Sequence, residues 1–145
     1  MIMNVGLILG DEAVHDEETI KNLKGALTCY RSNFEDWAKY TNFDKEKYTR
    51  NIVQRGTYYH IVILCWCPGH CSPVHGHSGS HCHMKVLSGE LEELIYEKHG
   101  NKTLKHLGKN DTTYIHDSIG VHQIQNPSKN KVAVSFHIYS PPIHL

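Results

Sequence analysis

The chain lacks an excess of charge of either sign: 15 basic and 15 acidic residues cancel over 145 positions, and the isoelectric point lies near 7.2. No basic stripe is left for nucleic acid or an anionic lipid surface, so neither is expected as a partner. A membrane-spanning run is missing too. The apolar opening MIMNVGLILG meets Asp11-Glu12 at once, and it has neither the length of a span nor the basic leader and cleavage site of a signal peptide. Internal repeats, linkers and low-complexity tracts are absent, and 145 residues fit one domain rather than two. Cysteine is scarce for a disulfide scaffold and odd in number, at five. A reducing, cytoplasmic setting is therefore expected, with a metal or a reactive thiol as the reason for the cysteines.

What the chain has in excess is histidine, 13 in all, a number that core packing does not require. Cys65, Cys67, Cys71 and Cys82 crowd into the same histidine-rich stretch. The functional question is which of these side chains converge.

The first third reads as helical. Ile20, Leu23, Leu27 and Tyr30 recur at three- and four-residue steps behind acidic residues, which predicts a helix over Glu17 to Arg31 and a shorter one around Phe34 to Tyr40. After Gly56 the pattern turns to short β-branched and aromatic runs broken by Pro68-Gly69, Ser72-Pro73 and Ser78-Gly79. Strands are expected over Tyr58 to Trp66, Met84 to Leu87, Leu91 to Glu97, Thr112 to Ile115, His122 to Gln125 and Val132 to Tyr139, with turns at Ser88-Gly89 and Gly100-Asn101. In the last of these strands Val132, Val134, Phe136 and Ile138 alternate with Ala133, Ser135, His137 and Tyr139. The second set is either the polar lining of a small barrel or the wet face of an ordinary antiparallel sheet, and alternation alone favours the wet face.

His75 and His77 stand at i and i+2, so on an extended backbone both rings project to one side, about 6–7 Å apart at Cα. A lone His-x-His is weak evidence for a metal. Here it sits inside Gly69-(x)5-His75-x-His77-(x)4-Cys82-(x)6-Gly89, which resembles the first cupin motif with Cys82 where most cupins have glutamate. Gly120-x-His122-(x)3-Asn126 resembles the second cupin motif. His81 and His83 flank Cys82, and periodicity alone allows either phase; the cupin spacing selects Cys82 as the inward residue.

Three neutral imidazoles without a carboxylate leave a divalent ion its full charge and up to three open positions. A substrate thiolate is soft enough to suit Fe(II) at such a site, so the missing glutamate itself points toward a thiol substrate. The alternative grouping, Cys65-x-Cys67-(x)3-Cys71 with His70, lacks the paired spacing of a structural zinc knuckle.

The runs Tyr48-Thr49-Arg50-Asn51, Leu64-Cys65-Trp66, His75-x-His77-(x)3-His81-Cys82, Tyr114-Ile115-His116-Asp117-Ser118-Ile119-Gly120-Val121-His122 and Ser135-x-His137-x-Tyr139-Ser140-Pro141-Pro142 together resemble the cysteine dioxygenase family, from about Asp36 to Pro142. The resemblance implies an all-β cupin, or jelly-roll, barrel with N-terminal α-helices. The expected layout is a single domain over 1–145, with 1–50 mainly helical and 56–142 forming the barrel. It implies a mononuclear Fe(II) on His75, His77 and His122, with L-cysteine and O2 as substrates and cysteine sulfinic acid as product, the step that leads toward taurine. Arg50 would grip the substrate carboxylate and Tyr48 would line the pocket with Trp66. Cys82 and Tyr139 match the pair that many members join by a thioether, and His137 with Ser135 would orient Tyr139. A monomer is expected.

Two positions depart from the pattern of animal members: Gly76 stands where an acidic residue is usual, and His116 where asparagine is usual. The chain also ends at Leu145, where family members continue into further strands, so an incompletely closed barrel with unpaired edges is expected. That keeps two other readings open: a dioxygenase for another small thiol such as cysteamine, and a metal-binding cupin without catalysis.

Overall fold

A computed structural model describes residues 17–142. The first helix, α1, spans Glu17–Cys29 with Glu17 and Glu18 in its first turn, where the helix dipole favours acids. Leu23 and Leu27, one turn apart, are its buried residues. It ends short of Arg31, and no basic residue of its own lies in the last turn. The Lys85 ammonium, fully buried, donates to the Leu27 carbonyl at 2.6 Å and takes that role from across the fold. The second helix, α2, is one turn at Phe34–Trp37 with the Asn33 side chain capping Glu35 N, and it continues as a 3-10 turn over Ala38–Tyr40.

Eight strands follow: β1 Thr49–Arg55, β2 His60–Trp66, β3 His81–Ser88, β4 Leu91–Glu97, β5 Lys102–Leu107, β6 Thr112–Ile115, β7 Gly120–Gln125 and β8 Ala133–Ser140. They form two antiparallel sheets with strand orders β1-β2-β8-β3-β6 and β5-β4-β7. The strand-dominated core with helices ahead of it matches the expected fold class. β-structure starts at Thr49 rather than after Gly56, because β1 is an edge strand whose sequence TRNIVQR carries little apolar alternation. Likewise β5 is an exposed edge rich in lysine, a composition that reads as loop but protects an unpaired edge.

The last strand corrects the wet-face reading. All eight residues of β8 are buried, because β8 lies between β2 and β3 and has structure on both faces. Val134, Phe136 and Ile138 pack with Leu23, Leu27 and Trp37 under the helices. The opposite face, with Ala133 and Tyr139, packs with Trp66, Met84, Leu91, Ile95 and Ile124 of the barrel interior. Val132 lies outside the strand and is exposed. The three central strands of the larger sheet, β2, β8 and β3, are thus buried on both sides, and Ser135, His137 and Tyr139 of β8 project between the sheets.

Candidate metal centre

The three histidines expected to converge do so. One ring nitrogen from each of His75, His77 and His122 lies within 4.8 Å of the others. His122 comes from β7, whose N-terminal Gly120 has φ +157°, and a Cβ there would meet the Tyr96 carbonyl at 2.1 Å. Only glycine lets β7 lie this close to β4. His75 and His77 do not share a regular strand, as the i, i+2 argument assumed. They lie on a loop between β2 and β3, tied to β7 by isolated bridges at Cys71–Gln125 and at His75–His122, and in the second the two histidines exchange backbone hydrogen bonds of 2.9 and 3.1 Å.

A carboxylate secures the rest of that loop. Asp117 Oδ1 accepts from His77 N at 2.9 Å and Oδ2 from Gly79 N at 2.7 Å. Those two bonds hold its carboxyl below the usual range. The side chain absent at Gly76 would approach Asp117 Oδ1 to 3.1 Å, so glycine at this position leaves the carboxylate room to reach both amides.

The donor atoms suit a metal. His75 Nδ1 is engaged by the Pro73 carbonyl at 2.8 Å and His122 Nδ1 by Glu93 Oε2 at 2.7 Å, which leaves each Nε2 facing the cluster. His77 is 3% exposed, yet neither of its ring nitrogens has a hydrogen-bond partner in the protein. A buried imidazole with no partner is costly unless something binds it, and a cation shared with its two neighbours resolves that cost.

Burial, followed by the nearby His122 and His75, pushes His77 down to about 3, and burial also lowers His75. His137 is held well below its ordinary value, again mainly by burial. Unfolded, each would take a proton near pH 6.5. The unfolded chain therefore binds more protons than the folded one below that pH, and stability falls as acid is added. The metal-free protein is expected to lose melting temperature steadily from about pH 6.5 to about pH 4. A flat profile in thermal unfolding over that range would contradict the neutral, buried imidazoles.

A cavity of about 490 Å³ opens beside the cluster, lined by Arg50, His75, His77, Ser80, Tyr139 and Pro141 among others. A second void, deeper in, adds Tyr48, Trp66, His122 and His137 to Arg50 and Tyr139. Tyr48 stacks on Trp66 with ring centroids 4.5 Å apart, so both line the site and also pack as core. Arg50 reaches in from β1 and makes no ion pair among the described residues.

Cys82 and Tyr139 are direct cross-strand partners on β3 and β8, both buried and both facing inward. Burial pushes the Cys82 thiol and the Tyr139 phenol well up, so both are protonated. A relay stands behind Tyr139. Trp66 Nε1 donates to Ser135 Oγ at 2.9 Å, Ser135 Oγ lies 2.7 Å from His137 Nε2, and His137 Nδ1 lies 3.3 Å from the Tyr139 oxygen. Indole can only donate, and the remaining acceptor for the Ser135 hydroxyl is His137 Nε2. That leaves Nδ1–H to donate to the Tyr139 oxygen, and the phenolic proton is free to point away from the relay.

His81 and His83 lie on the opposite face of β3 from Cys82, against Tyr114 and, for His81, His116. Among the described residues, Cys65, Cys67 and Cys71 belong to no metal-holding group. All five cysteines are free thiols. No helix among the described residues is long and apolar enough to cross a membrane.

The converging donors are the three expected imidazoles with no carboxylate among them, but the sequence reading did not single out the carboxylate that stands behind them. Glu93, fully buried on β4, sits one hydrogen bond behind His122. Its signal was in the sequence: β4 alternates, and Glu93 falls between Leu91 and Ile95 on the buried face. The role of Asp117 had no such signal, since it depends on where two loops meet.

Comparison with known proteins agrees with this geometry. The family model for cysteine dioxygenase type I matches residues 6–145. Rat cysteine dioxygenase type 1 is 41% identical over 143 residues, covering 93% of this chain and 72% of the relative. The zebrafish protein of the same name is 38% identical over 136 residues, covering 88% of this chain and 68% of its own length. Among solved structures, a double-stranded β-helix protein from Klebsiella pneumoniae superposes with a TM-score of 0.62 at 21% identity, covering 72% of this chain and 85% of that one. An RmlC-like cupin from Desulfovibrio desulfuricans does so at 0.58 and 19%, covering 71% and 91%. These two share the fold, whereas the family model and the sequence relatives go further: the chain belongs to the cysteine dioxygenase type I family.

Proposed function

We propose that this chain is a non-haem iron dioxygenase that converts L-cysteine and O2 to cysteine sulfinic acid, with Fe(II) held by His75, His77 and His122. The observation that carries the reading is the convergence of three imidazoles on a cavity that Arg50 and Tyr139 also line. The balance is simple: the thiol adds both oxygen atoms, sulfur loses four electrons, and O2 takes them up. When bound, a ferrous ion supplies open coordination positions and the one-electron chemistry that lets O2 react with a thiolate.

The chain's own residues do the rest. The Arg50 guanidinium offers a planar fork to the substrate carboxylate. Tyr139, held by His137 and Ser135, directs its hydroxyl proton toward the reacting sulfur and oxygen atoms. The walls around Tyr48, Trp66 and Ile124 exclude water from the inner part of the site. Five free cysteines suit a reducing cytoplasm, and the reading takes the enzyme to act there as a monomer on small molecules.

Oxygen uptake by iron-loaded protein tests the substrate class. Cysteine should support uptake and cysteamine, which lacks the carboxylate that Arg50 would bind, should support it poorly. Equal uptake with both would favour a general small-thiol dioxygenase, and metal binding without any uptake would favour a non-catalytic cupin.

The cross-strand pairing of Cys82 with Tyr139 suits a thioether formed by loss of one hydrogen from each, with O2 as oxidant. Intact mass after turnover should then fall by two hydrogens, and Cys82→Ala should abolish the change. An unchanged mass would remove the crosslink and leave the rest of the proposal standing.

A further inference from the structure

Among the described residues Glu93 is the only buried acid, and the cupin spacing does not account for its position. It is 0% exposed on the inward face of β4. Oε2 accepts from His122 Nδ1 at 2.7 Å, and Oε1 accepts from Thr113 Oγ1 at 2.6 Å. Among the described residues its only ion-pair partner is His122. A buried carboxylate with no lysine or arginine beside it needs positive charge nearby. The three-histidine cluster is where that charge would arrive.

Cys82 occupies the place of the usual cupin glutamate, which removes a negative charge from the ligands themselves. Given the metal site proposed above, we infer that Glu93 restores that charge one bond further out. In doing so it fixes His122 with Nε2 toward the metal and sets how strongly the loaded site takes an anionic ligand such as a thiolate. The field of Glu93 also reaches Cys82, where it adds to burial in raising the thiol. Thr113 orients the carboxylate without adding charge.

Co(II), a spectroscopic probe that does not turn over O2 with thiols as iron does, separates positioning from charge when azide is added as the anion. E93Q keeps the volume and the acceptor for His122 while removing a buried charge, so it is expected to fold, which circular dichroism checks. Its Co(II) affinity should fall about 10- to 100-fold, while azide should bind the cobalt-loaded site about tenfold more tightly than in wild type. T113V keeps the charge and loosens the geometry. It should weaken Co(II) binding by less and leave azide affinity within about twofold.

A purely structural role for Glu93 would weaken both ligands together. Azide affinity in E93Q equal to or below wild type therefore overturns the inference, as does tightening in T113V to match E93Q. Wild-type protein that takes up Co(II) while E93Q binds it equally well sinks the role of Glu93 alone. Wild-type protein that takes up none overturns the metal site and this inference with it.

Discussion

Replacing His77 by alanine is expected to abolish cysteine-dependent oxygen uptake, lowering it about a thousandfold or more, and to remove most bound metal. His77 is the cleanest of the three positions to test. Its ring nitrogens have no hydrogen-bond partner in the protein, so truncation breaks no internal bond and leaves no orphaned group behind. His77 also lies on a loop and borders the cavity, so the lost volume opens onto an existing space. His122→Ala, by contrast, would strand the buried Glu93 carboxylate and confuse loss of metal with loss of fold. The metal-free H77A protein should therefore melt close to the metal-free wild type while showing no metal-dependent gain. Activity or metal content near wild type, measured by oxygen electrode and elemental analysis, would contradict the three-histidine site.

The second large effect is at Arg50. Arg50→Ala should lower kcat/KM for cysteine about 10- to 100-fold, the loss of a charge-assisted pair with the substrate carboxylate. Most of the change should be in KM, because the carboxylate is bound alike before and during reaction. The residual turnover of cysteamine, which has no carboxylate, should change little. Arg50→Lys should recover only part of the loss, since an ammonium cannot reproduce the two parallel bonds of the fork. Arg50 stands on an exposed edge strand and makes no ion pair among the described residues, so fold is not at stake. Equal loss on both thiols would mean that Arg50 shapes the cavity rather than selecting the substrate.

Much of this arrangement was legible before the structure, and the limits have physical causes. Strands that alternate cleanly or are buried on both faces, such as β4 and β2, declare themselves by composition. The polar edges β1 and β5 do not, because an edge is kept soluble by the residues that suggest a loop. The spacing around Cys82 selected the right phase of β3, and pairing of Cys82 with Tyr139 follows from strand register that no local pattern encodes. On β8, period two separated the two sets of side chains and could not say that helices cover one face and a second sheet the other.

The metal site divides the same way. Ligand spacing carries His75, His77 and His122, while the groups that hold them in place, Asp117 and Glu93, act across 40 and 29 residues of chain. Such partners appear only once the loops and sheets have been brought together. Their consequence is chemical: the ligands are three imidazoles, but a carboxylate stands directly behind one of them.

The central claim is that this cavity adds both atoms of one O2 molecule to the sulfur of cysteine. Iron-quantified protein supplied with L-cysteine under 18O2 tests it directly by mass spectrometry of the product. The account predicts cysteine sulfinic acid carrying two 18O atoms, formed in step with oxygen consumed. Cystine as the product, or sulfinate with one oxygen drawn from water, would contradict it.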